Sequence, residues 1–255
     1  MNHETKDDFM YISGTLGKRV HAPDIQAYAD WFGLTVNRKR PLPKDQVGFV
    51  VEASAIRLEV PGRKAQPWHP GLAYRRIKHK NDALRKALDL RDEESVLDCT
   101  LGMGHDALAM ADAGATVFGL EIQAPMVMYT LTGIWHYNAI LARRVHARRA
   151  DYREYLNTCP DNRYDHVYLD PMFPPSDIQR GNVAWSMLRA FTPPDERLNE
   201  SVLSEALRVA RRHVLLKLAP GEKIPVFRGF PGAETVGSKR QKYARWQADS
   251  SGRLR

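Results

Sequence analysis

Cysteine is nearly missing from this chain: Cys99 and Cys159 are the only two among 255 residues. Two thiols cannot build a disulfide framework, and neither has a second cysteine or a histidine at metal-ligand spacing. No disulfide-stapled fold and no metal are therefore expected. Long apolar runs are missing too. Nothing approaches the ~18 apolar residues that a membrane span requires, and residues 1–8 are polar, without an apolar core or a cleavage pattern. The expectation is a reducing, cytoplasmic setting with no membrane partner. There is also no internal repeat and no low-complexity segment, which excludes solenoid and fibrous architectures.

What is present is a globular composition, 43% hydrophobic, in a chain long enough for one full core and a small appendage. Lysine and arginine number 38 against 30 acidic residues, a formal charge of +8 that favours a polyanionic partner. The basic residues are bunched at Arg75, Arg76, Lys78, His79 and Lys80, at Arg143, Arg144, Arg148 and Arg149, and at Lys239, Arg240, Lys242 and Arg245. A solvated surface accounts for charge alone, whereas bunching points to a nucleic-acid face.

Apolar spacing predicts a helix over 24–32, ended by Gly33, and a hairpin from strands at 47–51 and 56–60. The proline-rich stretch 61–70 reads as a linker. It divides the chain into a small N-terminal α/β subdomain (1–66) and a main domain (67–255). Beyond it, apolar strands at 95–99, 115–120, 145–150, 166–169 and 214–218 alternate with helical patterns at 106–113, 124–142 and 196–212. That alternation implies a mostly parallel twisted sheet with helices on both faces, a Rossmann-like α/β fold. Two further strands are expected within 233–248, with Gly237 in their turn.

Two segments carry chemistry. The first runs from an apolar strand through Asp98, Gly102 and Gly104 into a helix beginning near Asp106 and Ala107. The glycines let backbone approach a ligand closely, and Glu121, ending the next strand, is placed to accept hydrogen bonds from ribose hydroxyls. This also satisfies the loose fingerprint of a dinucleotide site, so a nicotinamide-dependent oxidoreductase stays open as an alternative. Asp98 and Asp151 lean instead toward S-adenosylmethionine, the first meeting a methionine ammonium and the second an adenine amine, because neither carboxylate suits a pyrophosphate.

The second segment follows the strand His166-Val167-Tyr168-Leu169 and reads Asp170-Pro171-Met172-Phe173-Pro174-Pro175. An exocyclic base amine is a poor nucleophile because its lone pair is delocalised into the ring. A carboxylate and a proline carbonyl can accept its two hydrogens while an aromatic ring stacks on the base. Asp170, Pro171 and Phe173 provide that set; an ordinary strand-ending turn is the plainer account.

With these residues in hand, the chain resembles the bacterial small-subunit ribosomal RNA guanine-N2 methyltransferases called RsmJ. The resemblance runs from about residue 27 to 248 and is carried by 55–59, Ala73-Tyr74-Arg75-Arg76, 98–107, Leu120-Glu121, the unbroken Tyr168 to Pro174 run, 214–217 and Ser238-Lys239-Arg240. It implies a Rossmann-like class I methyltransferase domain with S-adenosylmethionine as cofactor and ribosomal RNA or the small ribosomal subunit as partner. Carried over by position, the cofactor contacts fall on His105 and Asp106, Glu121 and Ile122, Asp151 and Tyr152, and Asp170. A methyltransferase of another RNA or DNA base amine, and a non-catalytic RNA-binding protein on the same scaffold, are the competing readings.

Overall fold

The short apolar runs become strands because their alternate residues can be buried on two opposite faces at once, which only a sheet covered on both sides allows. The computed structural model describes residues 48–52, 55–59, 68–78, 82–171, 198–230, 232–238 and 241–248. In chain order these form strands β1 (Gly48–Glu52) and β2 (Ala55–Glu59), helices α1 (Gly71–Lys78) and α2 (Ala83–Leu88), strand β3 (Ser95–Asp98), helix α3 (His105–Asp112), strand β4 (Thr116–Glu121), helices α4 (Ala124–Tyr137) and α5 (Ala139–Ala142), strand β5 (Val145–Arg149), helix α6 (Tyr152–Thr158), strand β6 (Tyr164–Leu169), helix α7 (Glu200–Val209), and strands β7 (Ala210–Leu218), β8 (Glu234–Gly237) and β9 (Lys242–Gln247). The helix expected over 24–32 and most of the expected linker, with the domain boundary, lie outside the described residues.

β1 and β2 make the expected antiparallel hairpin, a sheet of its own, with β2 running against α4. The main sheet has the order β5-β4-β3-β6-β7-β9-β8. Its first five strands are parallel, and β9 is antiparallel to both β7 and β8. Strand periodicity splits the core into two layers. Val96, Tyr168, Leu215 and Tyr243 pack with Leu108 of α3 and Val127 and Ile134 of α4. Leu97, Val167, Leu169, Leu216 and Trp246 pack with Leu156 of α6 and Leu203 and Ala206 of α7.

The differences from expectation have local causes. The helix expected over 124–142 is broken at Asn138, whose extended backbone (φ −156°, ψ 98°) ends α4 and whose side chain accepts from the Ile140 and Leu141 amides to start α5. The helix expected over 196–212 stops at Val209 because Ala210 already pairs with Tyr164 of β6. Helices α1, α2 and α6 are too short to show a clear period. At the β8–β9 turn Gly237 has φ +119°, and a Cβ there would stand 2.4 Å from the Gln241 carbonyl oxygen. Among the described residues no helix is long and apolar enough to cross a membrane.

Trp68 joins the segment before α1 to this core. Its indole N–H donates to the Met103 carbonyl (2.9 Å), and its ring lies on α4 at Gly133, where a Cβ would stand 2.1 Å from the Trp68 Cγ. In an unpacked helix Gly133→Ala would gain about 0.5–1 kcal/mol. Here overpacking should win, with a net loss of about 1–3 kcal/mol and a lower urea midpoint. An unchanged or higher midpoint would mean that the indole does not rest on this helix.

Candidate active site

The loop after β3 is pinned to both neighbouring strands. The Cys99 amide donates to the Tyr168 carbonyl and the Leu101 amide to the Leu120 carbonyl, each at 2.9 Å. Gly102 and Gly104 then take left-handed backbone (φ 49° and 67°), and a Cβ on Gly104 would lie 2.5 Å from the Thr130 Cγ2, so glycine lets α4 close onto the loop. The Thr130 hydroxyl completes that contact by donating to the Gly102 carbonyl (2.6 Å). Glu121 holds the same loop from β4: its carboxylate accepts from the Gly102 amide (3.1 Å) and the Gln123 amide (2.9 Å). No side chain caps α3 at Gly104.

Three acids meet two cations beside this loop. Asp98 is buried and accepts from the Thr100 amide (3.0 Å); burial, reinforced by the carboxylates of Asp106 and Asp170, pushes its carboxyl up to about 8. Asp106 receives the Arg76 guanidinium, the Tyr168 hydroxyl (2.6 Å) and the Lys217 ammonium (3.1 Å). Burial would raise its pKa, but Lys217 and Arg76 hold it well below the usual carboxylate range. Lys217 also reaches Asp170 Oδ2. The Asp170 amide donates to the Thr100 hydroxyl (2.7 Å), and burial lifts its carboxyl to about 6, with Lys217 opposing and Asp106 adding to the rise.

Of the residues anticipated from sequence, Asp98, Gly102, Gly104, Glu121, Asp170 and Pro171 gather at the carboxyl ends of β3, β4 and β6. Asp151 starts α6, its carboxylate accepting from the Arg153 amide (2.9 Å); Tyr152 is buried beside it, and the Ile122 carbonyl accepts from Arg149 Nε (3.4 Å). The side chains of His105 and Asp106 are committed elsewhere. His105 Nε2 lies 2.9 Å from the His69 carbonyl, with its ring edge-on to Trp68. Phe173 lies outside the described residues.

Arg76, Lys217, Tyr168, Thr100 and Thr130 were not anticipated as site residues. Arg76 sat among the surface basic residues in sequence, but it is 7% exposed and turned inward, while Tyr74, Arg75 and Lys78 face out from the same helix. A usable signal did exist for Lys217, a lone charge in the apolar run Val214-Leu215-Leu216-Lys217-Leu218. Among the described residues no group of three or more His, Cys, Asp or Glu is arranged to hold a metal.

The crevice lies where the strand order reverses, between β3 and β6, the position at which open α/β sheets bind ligands. An antiparallel β9 between β7 and β8 departs from the parallel 3-2-1-4-5-6 order of dinucleotide-binding folds. The same fold occurs in a solved SAM-dependent methyltransferase from Neisseria gonorrhoeae, with TM-score 0.65 and 19% identity over 91% of this chain and 93% of that one. A family model of SAM-dependent methyltransferases matches residues 65–244. Ribosomal RNA small subunit methyltransferase J of Thioalkalivibrio sulfidiphilus is 31% identical over 84% of this chain and 88% of its own length. YpiP of Bacillus subtilis and the methyltransferase J of Acinetobacter baylyi are each 32% identical, and the chain spans 62% and 52% of their lengths. The chain belongs to the SAM-dependent methyltransferase family and is related within it to the ribosomal RNA small subunit methyltransferases J. Its cofactor is S-adenosylmethionine.

The site fits that cofactor. When all are ionised, Asp98, Asp106 and Asp170 outnumber Arg76 and Lys217 by one charge; burial is the main cause of the raised Asp98 pKa, and the neighbouring carboxylates of Asp106 and Asp170 add to it. A ligand carrying a sulfonium and an ammonium suits such a surplus, and a pyrophosphate does not.

Arg76→Ala should cost about 3–5 kcal/mol in denaturant melts, because it leaves Asp106 buried with one partner fewer. Arg75→Ala on the exposed face should stay within about 0.5 kcal/mol of the parent. Equal effects of the two would show that the inward guanidinium carries no structural weight.

Proposed function

We propose that the protein transfers a methyl group from S-adenosylmethionine to the exocyclic N2 amine of a guanine in small-subunit (16S) ribosomal RNA. The observation that carries this reading is the placement of Asp170 and Pro171. They leave the end of β6 beside the glycine loop, with the Asp170 side chain 22% exposed and, among the described residues, only its Oδ2 engaged. The names of the J methyltransferases supply the RNA class.

In this reading Asp170 Oδ1 and the Pro171 carbonyl accept the two amine hydrogens, which orients the amine and favours the geometry that frees its lone pair. Pro171 has no N–H to compete, and Phe173 stacks on the extruded base. S-adenosylmethionine supplies an electrophilic methyl group. Glu121 accepts from ribose hydroxyls and Asp151 from the adenine amine. Asp98 balances positive charge from beneath the loop. Gly102, Gly104 and the backbone of His105 and Asp106 line the approach, with Ile122 and Tyr152 flanking the adenosine. Transfer is direct, with no covalent enzyme intermediate.

The partner is ribosomal RNA, naked or in the small subunit, in the cytoplasm. The outward face of α1 suits its phosphates and bases: Tyr74 is 44% exposed, Arg75 and Lys78 are exposed beside it, and Lys78 Nζ lies 4.4 Å from the Tyr74 ring centroid. In this reading residues 1–66 are a small N-terminal α/β subdomain and residues 67–255 the methyltransferase domain.

The test is to incubate the protein with labelled S-adenosylmethionine and RNA or subunits from undermethylated ribosomes, then identify the labelled nucleoside by mass spectrometry. N2-methylguanosine is expected; label on a different nucleoside, or none, would overturn the reading. Folded Asp170→Ala should lose on the order of a hundredfold in kcat, with RNA binding little changed. Near-parental turnover would reduce Asp170 to a turn residue.

A further inference from the structure

Lys217 lies on β7, one strand from the catalytic turn, and its register places it opposite Tyr243 of β9. Alternation along β7 puts it on the face shared by Leu215, Tyr168 and Tyr243, the face that α3 covers. From there the ammonium donates to Asp170 Oδ2 and to Asp106 Oδ2 (3.1 Å). Asp106 is itself fixed by the Arg76 guanidinium and the Tyr168 hydroxyl (2.6 Å). Asp170 is tied at its backbone by the bond from its amide to the Thr100 hydroxyl (2.7 Å). One carboxylate oxygen is thus held from inside the protein, and no described residue engages the other.

We propose that Lys217 is the positioning residue for Asp170: it clamps Oδ2 and keeps the carboxylate ionised, so that Oδ1 faces the crevice as a pure acceptor for the base amine. This rests on the amine-methylation reading. The groups around Asp170 give the clamp its purpose. Asp98 faces it from β3, Asp106 from α3, Tyr168 from β6, Tyr243 from β9 and, one layer out, Arg76 from α1. Without Lys217, Asp98, Asp106 and Asp170 share only the guanidinium of Arg76, which already pairs with Asp106. Asp170 would then take up a proton and present an O–H in place of an acceptor. In the intact site burial is the largest influence raising the Asp170 pKa, and Lys217 is the largest lowering it.

The test uses Lys217→Met and Lys217→Arg in the full chain. With the parent, kcat should rise with pH through about 6, as Asp170 ionises. In Lys217→Met that acid limb should move up by about 1–3 pH units, with the KM for RNA within about twofold, because an opposite charge at contact shifts a carboxylate by that much. Lys217→Arg should bring the limb back. Carbon-13 NMR titration of the Asp170 carboxyl, without cofactor or RNA, should show the same upward shift. An NMR midpoint left in place by Lys217→Met overturns the proposal, as does a limb that stays put while kcat falls. If the parent methylates no base amine, the NMR shift still decides the clamp while the chemical reading falls. Should Lys217→Met fail to fold, Lys217→Gln, which keeps a donor without the charge, must show the raised midpoint.

Discussion

A chain of charge, buried at Arg76 and half-buried at Asp106, Lys217 and Asp170, sets the terms for the rest of the molecule. Its members come from α1, α3, β7 and the turn after β6, which are distant in sequence. Buried ions are costly unless paired, and breaking one such pair costs several kcal/mol. The chain therefore forms only when α1 docks on α3 and β7 lies beside β6. The segment before the main sheet is in this way bound to the turn after β6 by electrostatics, with Trp68 on Gly133 adding a packing contact.

The sheet supplies the other half of the arrangement. Parallel strands bring the ends of β3, β4, β5 and β6 to one edge, and the reversal of strand order between β3 and β6 opens a crevice there. Left-handed glycines let the loop after β3 fold tightly under α4, and Glu121 braces that loop by accepting its amide. Asp98, Glu121 and Asp170 then sit on or beside rigid strand ends.

The parts legible in sequence were those written in local pattern. Apolar runs indicate the sheet, glycines and strand-end acids the loop, and Asp170-Pro171 the turn that ends β6. Parts that depend on long-range partners were hidden. Arg76 looked like a member of a basic surface cluster, because nothing in Arg75-Arg76 tells which guanidinium turns inward; that follows from the helix face and from Asp106 thirty residues on. His105 and Asp106 sit at positions that suit a ligand, yet their side chains are taken by His69 and by Arg76 with Lys217. Asn138 broke a helix that periodicity had run straight through, since a side chain that caps the next turn competes with the helix backbone.

Asp98 and Asp170 at the ends of β3 and β6, together with Asp106 of α3, exceed Arg76 and Lys217 by one charge when all are ionised, a surplus that suits a positively charged cofactor. Calorimetry of S-adenosylmethionine binding near pH 7, where Asp170 is ionised, in buffers of different ionisation heat, tests this directly. The free protein holds Asp98 protonated there, with its carboxyl pushed up to about 8, and a bound cation lowers that value. Binding should therefore release a proton, approaching one per site, with affinity rising as pH climbs toward 8 and the release vanishing above it. Binding heats independent of buffer, or proton uptake on binding, would contradict the account.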